Sequence, residues 1–215
     1  MNARKISDST VRRLSLYLNL LRDISAAGTE LVSSVELANG SGTTAAKVRK
    51  DLSNFGSFGK RGQGYLVLEL QTRIEAILGL QRERRVALVG VGKIGSALLG
   101  YHDLKARGFQ ISVAFDIDPE KVGRTVFEVP VVSMEELENR LIAENIEIVI
   151  LATPPAVAQI VVDRVRSAGV AGILSFAASK LEPDAGLAVR WMDVALELEG
   201  LSFLISSAAN GSEGV

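Results

Sequence analysis

Apolar side chains recur at helical spacing through the first part of the chain. Between Val11 and Ile24 an apolar residue stands at every third or fourth position, and the pattern stops near Gly28, which predicts an amphipathic helix. Ser33 and Glu36 have the S-x-x-E spacing of a capping box, so a short second helix is expected to begin there. These patterns predict a helical unit at the start of the chain.

A third helix is predicted after Thr43, and its exposed side is basic. Apolar residues at positions 48, 52 and 55 share one side of this helix and are expected to face inward. That arrangement leaves Lys47 and Lys50 on the opposite side and Arg49 at its flank.

A glycine-rich, basic segment at residues 59–64 precedes the β-favouring run 65–68, so a hairpin with a basic tip is expected. Three helices and a hairpin are the order of a winged-helix domain, in which a helix enters the major groove of DNA and the hairpin tip follows the minor groove or its phosphates. A solvated basic face is the alternative interpretation. The residues predicted to contact DNA are Thr44, Lys47, Arg49, Lys50, Lys60, Arg61 and Gly62.

Strand-like and helix-like runs alternate beyond a charged connector at residues 81–85. This alternation predicts a parallel sheet with helices on both sides. Strands are expected at 86–89, 111–115, 129–132, 146–151 and 172–176, and helices at 94–107, 134–143 and 155–168. The fold class is therefore α/β, with a winged-helix domain at 1–80, a Rossmann domain at 81–192, a final helix at 193–207 and a flexible tail at 208–215.

A Gly90-x-Gly92-x-x-Gly95 turn follows the first strand of the predicted sheet and opens a helix. Gly90 permits the tight turn, Gly92 lets the backbone approach a pyrophosphate, and Gly95 lets the helix pack close to the strand. Asp116 ends the next strand, where a carboxylate accepts hydrogen bonds from ribose hydroxyls. A carboxylate there repels a 2′-phosphate, so NAD(H) is preferred to NADP(H).

Thr153 and Pro154 end the fourth predicted strand, at the edge of the sheet where the second half of a dinucleotide is expected. The alternative interpretation is that Asp116 caps the turn at Pro119 and that the glycines serve packing. The other residues predicted to contact the dinucleotide are Val91, Lys93, Ile94, Ile117 and Phe176.

The charge distribution indicates the kind of partner, and the composition excludes several classes of protein. Residues 1–80 hold 11 Lys and Arg against 7 Asp and Glu, and the remainder holds 13 against 18, so the first domain is suited to an anionic partner. Cysteine is absent, which excludes disulfides, thiolate metal sites and thiol-based redox switching. No stretch approaches the ~20 apolar residues of a membrane span. We therefore expect a cytoplasmic protein with neither a membrane partner nor a metal site.

Four stretches of the chain resemble the bacterial Rex family of redox-sensing repressors: KVRKDLSNFGSFGKRGQGY, GVGKIGSALLGY, FDIDPEKVGR and MDVALELEGLSFLI. The resemblance covers nearly the whole chain. It implies a homodimer with an N-terminal winged helix, a Rossmann domain and a last helix exchanged between subunits. It also implies binding to a palindromic double-stranded DNA operator and release when NADH rises relative to NAD+.

The resemblance gives roles to further single residues. Tyr101 is similar to a family tyrosine near the cofactor, and Asp193 to the aspartate that leads into the exchanged helix and couples the domains. Asn19 stands where a basic partner of that aspartate is expected, and Asn54 and Ala178 also depart from the family pattern.

Two other classes of function are the alternatives. A small NAD-dependent dehydrogenase needs a substrate domain and an acid–base residue outside the Rossmann domain, and the chain is too short for such a domain. A lone histidine in an aliphatic helix, as His102 is, is more typical of a structural role, and Lys180 is more typical of a solvated loop, so we expect a protein that is not an enzyme. A CoA-binding module uses a similar glycine turn, although Asp116 disfavours the 3′-phosphate on the ribose of CoA. Hydride turnover with a small carbonyl would favour the enzyme, and NADH-reversible retention of a palindromic duplex would favour the repressor.

Overall fold

The computed structural model of the chain describes residues 6–58, 64–177 and 186–211, with side chains of the last helix described through residue 207. The chain divides into two compact units, residues 1–82 and residues 83–215. Each unit has a hydrophobic core of its own.

The first unit is mainly helical. Leu14, Leu18 and Leu21 of its first helix are at most 2% exposed, which confirms the predicted apolar face. The capping box is also confirmed, because the Ser33 hydroxyl accepts the Glu36 N–H at 3.1 Å and the Glu36 carboxylate accepts the Ser33 N–H at 2.7 Å. The described elements are α1 (Asp8–Ala26), β1 (Leu31–Val32), α2 (Ser34–Ser41), α3 (Ala45–Ser53), β2 (Tyr65–Leu66) and α4 (Val67–Leu78).

The predicted strand at 65–68 is only half correct. Strand β2 ends at Leu66, and Val67 already begins α4, because Val67, Leu70 and Ile74 have helical spacing and are buried on one side of that helix. The described partner of β2 is β1, an antiparallel strand between α1 and α2 that the sequence did not predict. The expected basic tip, at residues 59–63, lies outside the described residues.

The second unit confirms the predicted α/β class. Its seven-stranded sheet has the order β5-β6-β4-β3-β7-β8-β9, and every neighbouring pair is parallel except β5 with β6. Its elements are β3 (Arg84–Val89), α5 (Lys93–Leu99), α6 (Asp103–Ala106), β4 (Phe109–Asp116), β5 (Thr125–Val126), β6 (Val129–Ser133), a 3-10 turn (Met134–Glu136), α7 (Leu137–Ala143), β7 (Ile148–Leu151), α8 (Pro155–Ser167), β8 (Gly172–Ser175), β9 (Ala188–Trp191) and α9 (Val194–Gly211).

The central strand of this sheet is β3. Strands β4 and β6 lie on one side of it, and β7, β8 and β9 lie on the other, which is the strand order of a Rossmann fold. The carboxyl ends of β3 and β7 therefore form the topological switch point, where open α/β sheets bind their ligands.

The two faces of the sheet are covered differently. Val149 and Leu151 lie on the face that α7 and α8 cover, and they belong to a fully buried cluster. On the opposite face, Leu88 packs near α5. Near the amino ends of the strands, Val86 and Ile148 line an apolar cavity of about 330 Å³ on this second face.

Four elements of the second unit differ from the sequence expectation. The single helix expected at 94–107 is broken into α5 and α6 at Gly100, where a Cβ would lie 3.0 Å from the ring of Phe127. Strands β5 and β9 were not predicted. Helix α9 runs to Gly211, whereas an end at residue 207 was expected, and every side chain from Val194 to Ser207 is exposed.

Candidate functional site

The turn after β3 requires glycine at two positions. Gly90 has a φ of +97°, and a Cβ there would lie 2.6 Å from the carbonyl oxygen of Ala152, which follows β7. A Cβ on Gly95 would overlap the carbonyl oxygen of Gly90, so only glycine lets α5 pack this close to the turn. The turn is therefore held against both strands of the switch point.

The middle glycine of the turn faces open space. Among the described residues, nothing lies within 4 Å of a Cβ built on Gly92. Gly92 is also the N-cap of α5, and no described side chain caps the backbone there. Lys93 and Ile94, at the start of α5, are exposed beside this opening. Because helix amino ends attract anions through their backbone N–H groups, this turn fits a pyrophosphate.

Asp116 binds the glycine turn from the carboxyl end of β4. Its Oδ2 accepts the N–H of Val91 at 2.8 Å, and its Oδ1 accepts the N–H of Asp118 at 2.9 Å. Lys121 Nζ lies 3.3 Å from Oδ2. Asp116 therefore stands where a ribose-binding carboxylate is expected. Its bond from the Asp118 N–H caps the turn at Pro119, as the alternative interpretation proposed, and its bond from the Val91 N–H also fixes the glycine turn.

The carboxylate of Asp116 is ionised despite its burial. Burial alone would raise the pKa of Asp116, but hydrogen bonds from the Asp118 and Val91 N–H groups and from Lys121 outweigh it, so the pKa lies below its ordinary value. A negative group is therefore fixed beside the glycine turn at neutral pH.

Thr153 and Pro154 lie across the switch point from Asp116. The backbone nitrogen of Thr153 is 3.2 Å from a Cβ built on Gly90, so this segment borders the glycine turn. The Oγ1 atom of Thr153 is buried and has no hydrogen-bond partner among the described atoms. Since an unsatisfied buried hydroxyl costs about 1–3 kcal/mol, a polar group of a bound ligand would stabilise it. The fixed φ of Pro155 at the start of α8 also suits its helical role.

Two apolar candidates lie at the same edge of the sheet. Ile117 directly follows Asp116 and is 85% exposed, so it offers an apolar surface beside the expected ribose position. Phe176 directly follows β8 and is partly buried against the core cluster of the α5 face.

Tyr101 is placed at the other end of the second unit. With Phe109 and Val129, which begin their strands, it lines a cavity of about 440 Å³ at the amino ends of the strands. Within one chain the structure therefore does not bring Tyr101 to the glycine turn, which lies at the carboxyl ends. His102 lines the same cavity, whereas Lys180 lies outside the described residues.

Asp193 precedes the last helix and caps it. Its Oδ1 accepts the N–H of Ala195 at 2.9 Å, so the aspartate fixes the direction in which α9 leaves the sheet. The nearby departure at Ala178 lies outside the described residues.

The exposed side of α3 carries the predicted basic residues. Lys47, Arg49 and Lys50 are all exposed, and Val48 and Leu52 on the opposite side are at most 1% exposed. The expected two-sided helix is therefore confirmed. Lys60, Arg61 and Gly62, the other predicted DNA contacts, lie outside the described residues.

Local hydrogen bonds order this basic side. Thr44, and not Thr43, caps α3, because the Thr44 Oγ1 accepts the N–H of Lys47 at 3.2 Å. Arg49 Nη1 donates to Ser34 Oγ at 2.9 Å, which ties the guanidinium to the start of α2. A guanidinium held in this way loses less conformational entropy on binding a phosphate or a guanine edge.

A buried ionic network lies behind α3, and no sequence pattern predicted it. Asp51 is 2% exposed and accepts hydrogen bonds from Arg13 Nε at 2.6 Å, Arg13 Nη2 at 2.8 Å and the Tyr17 hydroxyl at 3.0 Å. Position 51 lies on the inward side of α3, between the buried residues 48 and 52, and an acid at an inward position was the signal that could have revealed it. The network fixes α3 to α1.

No group of three or more His, Cys, Asp and Glu side chains suited to a metal ion occurs in the described ranges. Over the same part of the chain, no helix is long and apolar enough to cross a membrane.

Comparisons with known proteins match both units. A model described as the N-terminus of a putative DNA-binding protein matches residues 5–53, and a model described as a CoA binding domain matches residues 81–179. The redox-sensing transcriptional repressor Rex of Carboxydothermus hydrogenoformans is 42% identical over 205 residues, which cover 95% of this chain and 99% of the relative. The protein of the same name from Desulfitobacterium hafniense is 41% identical over 96% of this chain and 99% of its own. The chain belongs to the Rex family.

Solved structures of the Rex-family repressor RSP agree with this assignment. RSP in complex with β-NADH is similar with a TM-score of 0.86 and 28% identity, over 98% of this chain and 99% of RSP. RSP in complex with β-NAD+ and operator DNA is similar with a TM-score of 0.89 and 30% identity, over 98% of this chain and 97% of RSP. The first unit is therefore a DNA-binding domain of the Rex type, and the second is its Rossmann domain.

Proposed function

We propose that this Rex-family transcriptional repressor binds a palindromic DNA operator with its first unit and leaves it when its second unit binds NADH. The observation that carries the proposal is the presence of two sites in one chain: an exposed basic helix, α3, and a Rossmann switch point with an open glycine turn. The NADH and operator complexes of RSP support the same pairing of functions.

The switch point would hold the dinucleotide through four features. Gly92 and the first residues of α5 would hold the pyrophosphate, and Asp116 would hold the adenosine ribose. Thr153 would satisfy its buried hydroxyl on the nicotinamide side, with Phe176 nearby. When bound, the coenzyme supplies a ring that is charged in NAD+ and uncharged in NADH, and an apolar pocket favours the uncharged form.

We infer that the repressor is a homodimer formed through α9. The helix exposes Leu198, Leu201 and Ile205 along one side, together with Phe203 and Leu204. An apolar helix that is exposed all round marks an interaction surface. The apolar sheet cavity of about 330 Å³ has matching chemistry for a helix of a second copy. Two α3 helices would then read half-sites spaced by about 34 Å or a multiple of it.

The alternative functions receive less support. The dehydrogenase interpretation needs an acid–base residue on the nicotinamide side of the switch point, but His102 lies at the amino ends of the strands, and Lys180 lies outside the described residues. The CoA interpretation would place a ribose 3′-phosphate near the ionised carboxylate of Asp116, which repels it.

A duplex-binding assay tests the proposal. A fluorescently labelled palindromic duplex is retained by the protein and then titrated with NADH at fixed NAD+ and fixed salt. We expect NADH to release the duplex. The Gly92→Val variant should keep duplex binding and lose NADH-dependent release, because the valine fills the open space in the turn. Release of the duplex by NADH from Gly92→Val would refute the assignment of the glycine turn as the sensor.

A further inference from the structure

A lysine is built into the expected ribose site beside two carboxylates. Lys121 Nζ lies 3.3 Å from Asp116 Oδ2 and 3.3 Å from Asp118 Oδ2. The Lys121 side chain is 38% exposed, so the ammonium group borders solvent at the carboxyl edge of the sheet. The side chain has three N–H donors, and these two contacts use two of them.

The carboxylate of Asp116 has little capacity left for a ligand. Its Oδ2 already accepts from the Val91 N–H and from Lys121, and its Oδ1 accepts from the Asp118 N–H. A carboxylate has about four acceptor positions, so one remains on Oδ1. The hydroxyl groups of a ribose would therefore compete with Lys121 for the acceptor positions of the Asp116 carboxylate.

Lys121 also changes the charge of this site. Asp116 and Asp118 contribute two negative charges, and Lys121 reduces the local sum to a single negative charge. A ribose 2′-phosphate is repelled by the carboxylates and attracted by the ammonium group, whereas an unmodified ribose is uncharged. The preference of this site for dinucleotides with or without a 2′-phosphate therefore depends on the combined charge of Asp116, Asp118 and Lys121.

We propose that Lys121 is a specificity-determining residue that weakens the discrimination of this site against dinucleotides with a 2′-phosphate. The inference rests on the proposed binding of NADH at the switch point, and it assigns the selectivity of that site to the Asp116–Asp118–Lys121 cluster. Asp118 strengthens the rejection of the 2′-phosphate, and Lys121 opposes it.

The test measures dissociation constants of the full-length protein for NADH and NADPH by calorimetry, without DNA. For Lys121→Met, we expect the NADPH-to-NADH ratio of dissociation constants to rise about three- to tenfold at about 0.1 M salt, and less at about 1 M salt, where the screening length is about 3 Å. For Asp118→Asn, which keeps the acceptor for the Glu120 N–H, the ratio should fall. Lys121→Arg keeps the positive charge, so its ratio should equal that of the wild-type protein.

Arg107→Gln is the matched control for the loss of a positive charge. Arg107 precedes β4 and Asp116 ends it, so the two lie about 25 Å apart along the same strand, beyond the screening length of about 10 Å at 0.1 M salt. This control should leave the ratio unchanged. A ratio that stays unchanged or falls in Lys121→Met, while NADH still binds, overturns the inference and leaves the proposed function intact. Failure of the wild-type protein to bind NADH overturns both.

Discussion

The buried network of Arg13, Tyr17 and Asp51 gives the sharpest prediction for stability. In Asp51→Asn the amide oxygen can still accept from the Tyr17 hydroxyl, but the amide has no negative charge and cannot accept both Arg13 donors. Asp51 is 2% exposed and Arg13 is 17% exposed, so water can replace only part of the lost hydrogen bonding between them. Losing one charge-assisted hydrogen bond and the ionic attraction should lower the free energy of unfolding by about 2–3 kcal/mol.

Glu69→Gln is the matched control in the same unit. Glu69 forms an ion pair with Arg73 at 3.0 Å in which both side chains are about half exposed. An exposed pair with this i,i+4 spacing contributes about 0.3–0.5 kcal/mol, so the control should lose several times less stability than Asp51→Asn.

The assay is urea unfolding followed with two probes. The one tryptophan of the chain, Trp191, lies in β9 and reports on the second unit, whereas far-UV circular dichroism reports on both units. Asp51→Asn should shift the part of the dichroism transition that belongs to the first unit and leave the Trp191 transition in place. It should also weaken operator binding, because the network fixes α3 to α1. A loss of stability no larger than that of Glu69→Gln would refute the structural role of the network.

Three further outcomes are expected. Burial and the hydrogen bond to Asp51 raise the pKa of Tyr17 to about 12, above its ordinary value of 10.0, so its contribution to stability should be lost between about pH 10 and pH 12. Urea midpoints in this range would show it, and Tyr17→Phe should lose that slope. In analytical ultracentrifugation, Leu201→Glu on α9 should shift the protein from dimer towards monomer, and Ser202→Glu should do so less. Arg49→Ala should reduce the log–log salt slope of operator binding by about 0.9 per lost phosphate contact and leave NADH affinity unchanged; an unchanged slope would mean that Arg49 meets no phosphate.

The elements that local patterns determine were predictable from the sequence. The apolar face of α1, the capping box of α2 and the basic side of α3 depend on spacing within one helix, and each was confirmed. The glycine turn was also predictable, because the close approach of Gly95 to Gly90 is a steric requirement that the G-x-G-x-x-G spacing encodes.

The features that depend on pairing between distant segments were not predictable. Strand β1 is two residues long and is defined by its partner β2, so it has no periodicity to detect. The helix expected at 94–107 is interrupted at Gly100, where the ring of Phe127 leaves little room for a Cβ, and no pattern within the helix reports a neighbour 27 residues away. The contacts of Asp51 with Arg13 and Tyr17 likewise join separate helices.

The most direct test of the account is the coupling between its two sites. NADH affinity is measured by titration of the free protein and of the protein saturated with a palindromic operator, at one salt concentration. Linkage requires that the operator weaken NADH binding by the same factor by which NADH weakens operator binding, and we predict that these factors agree. Equal NADH affinity on and off the operator would contradict the account, because the Rossmann unit would then have no influence on DNA binding.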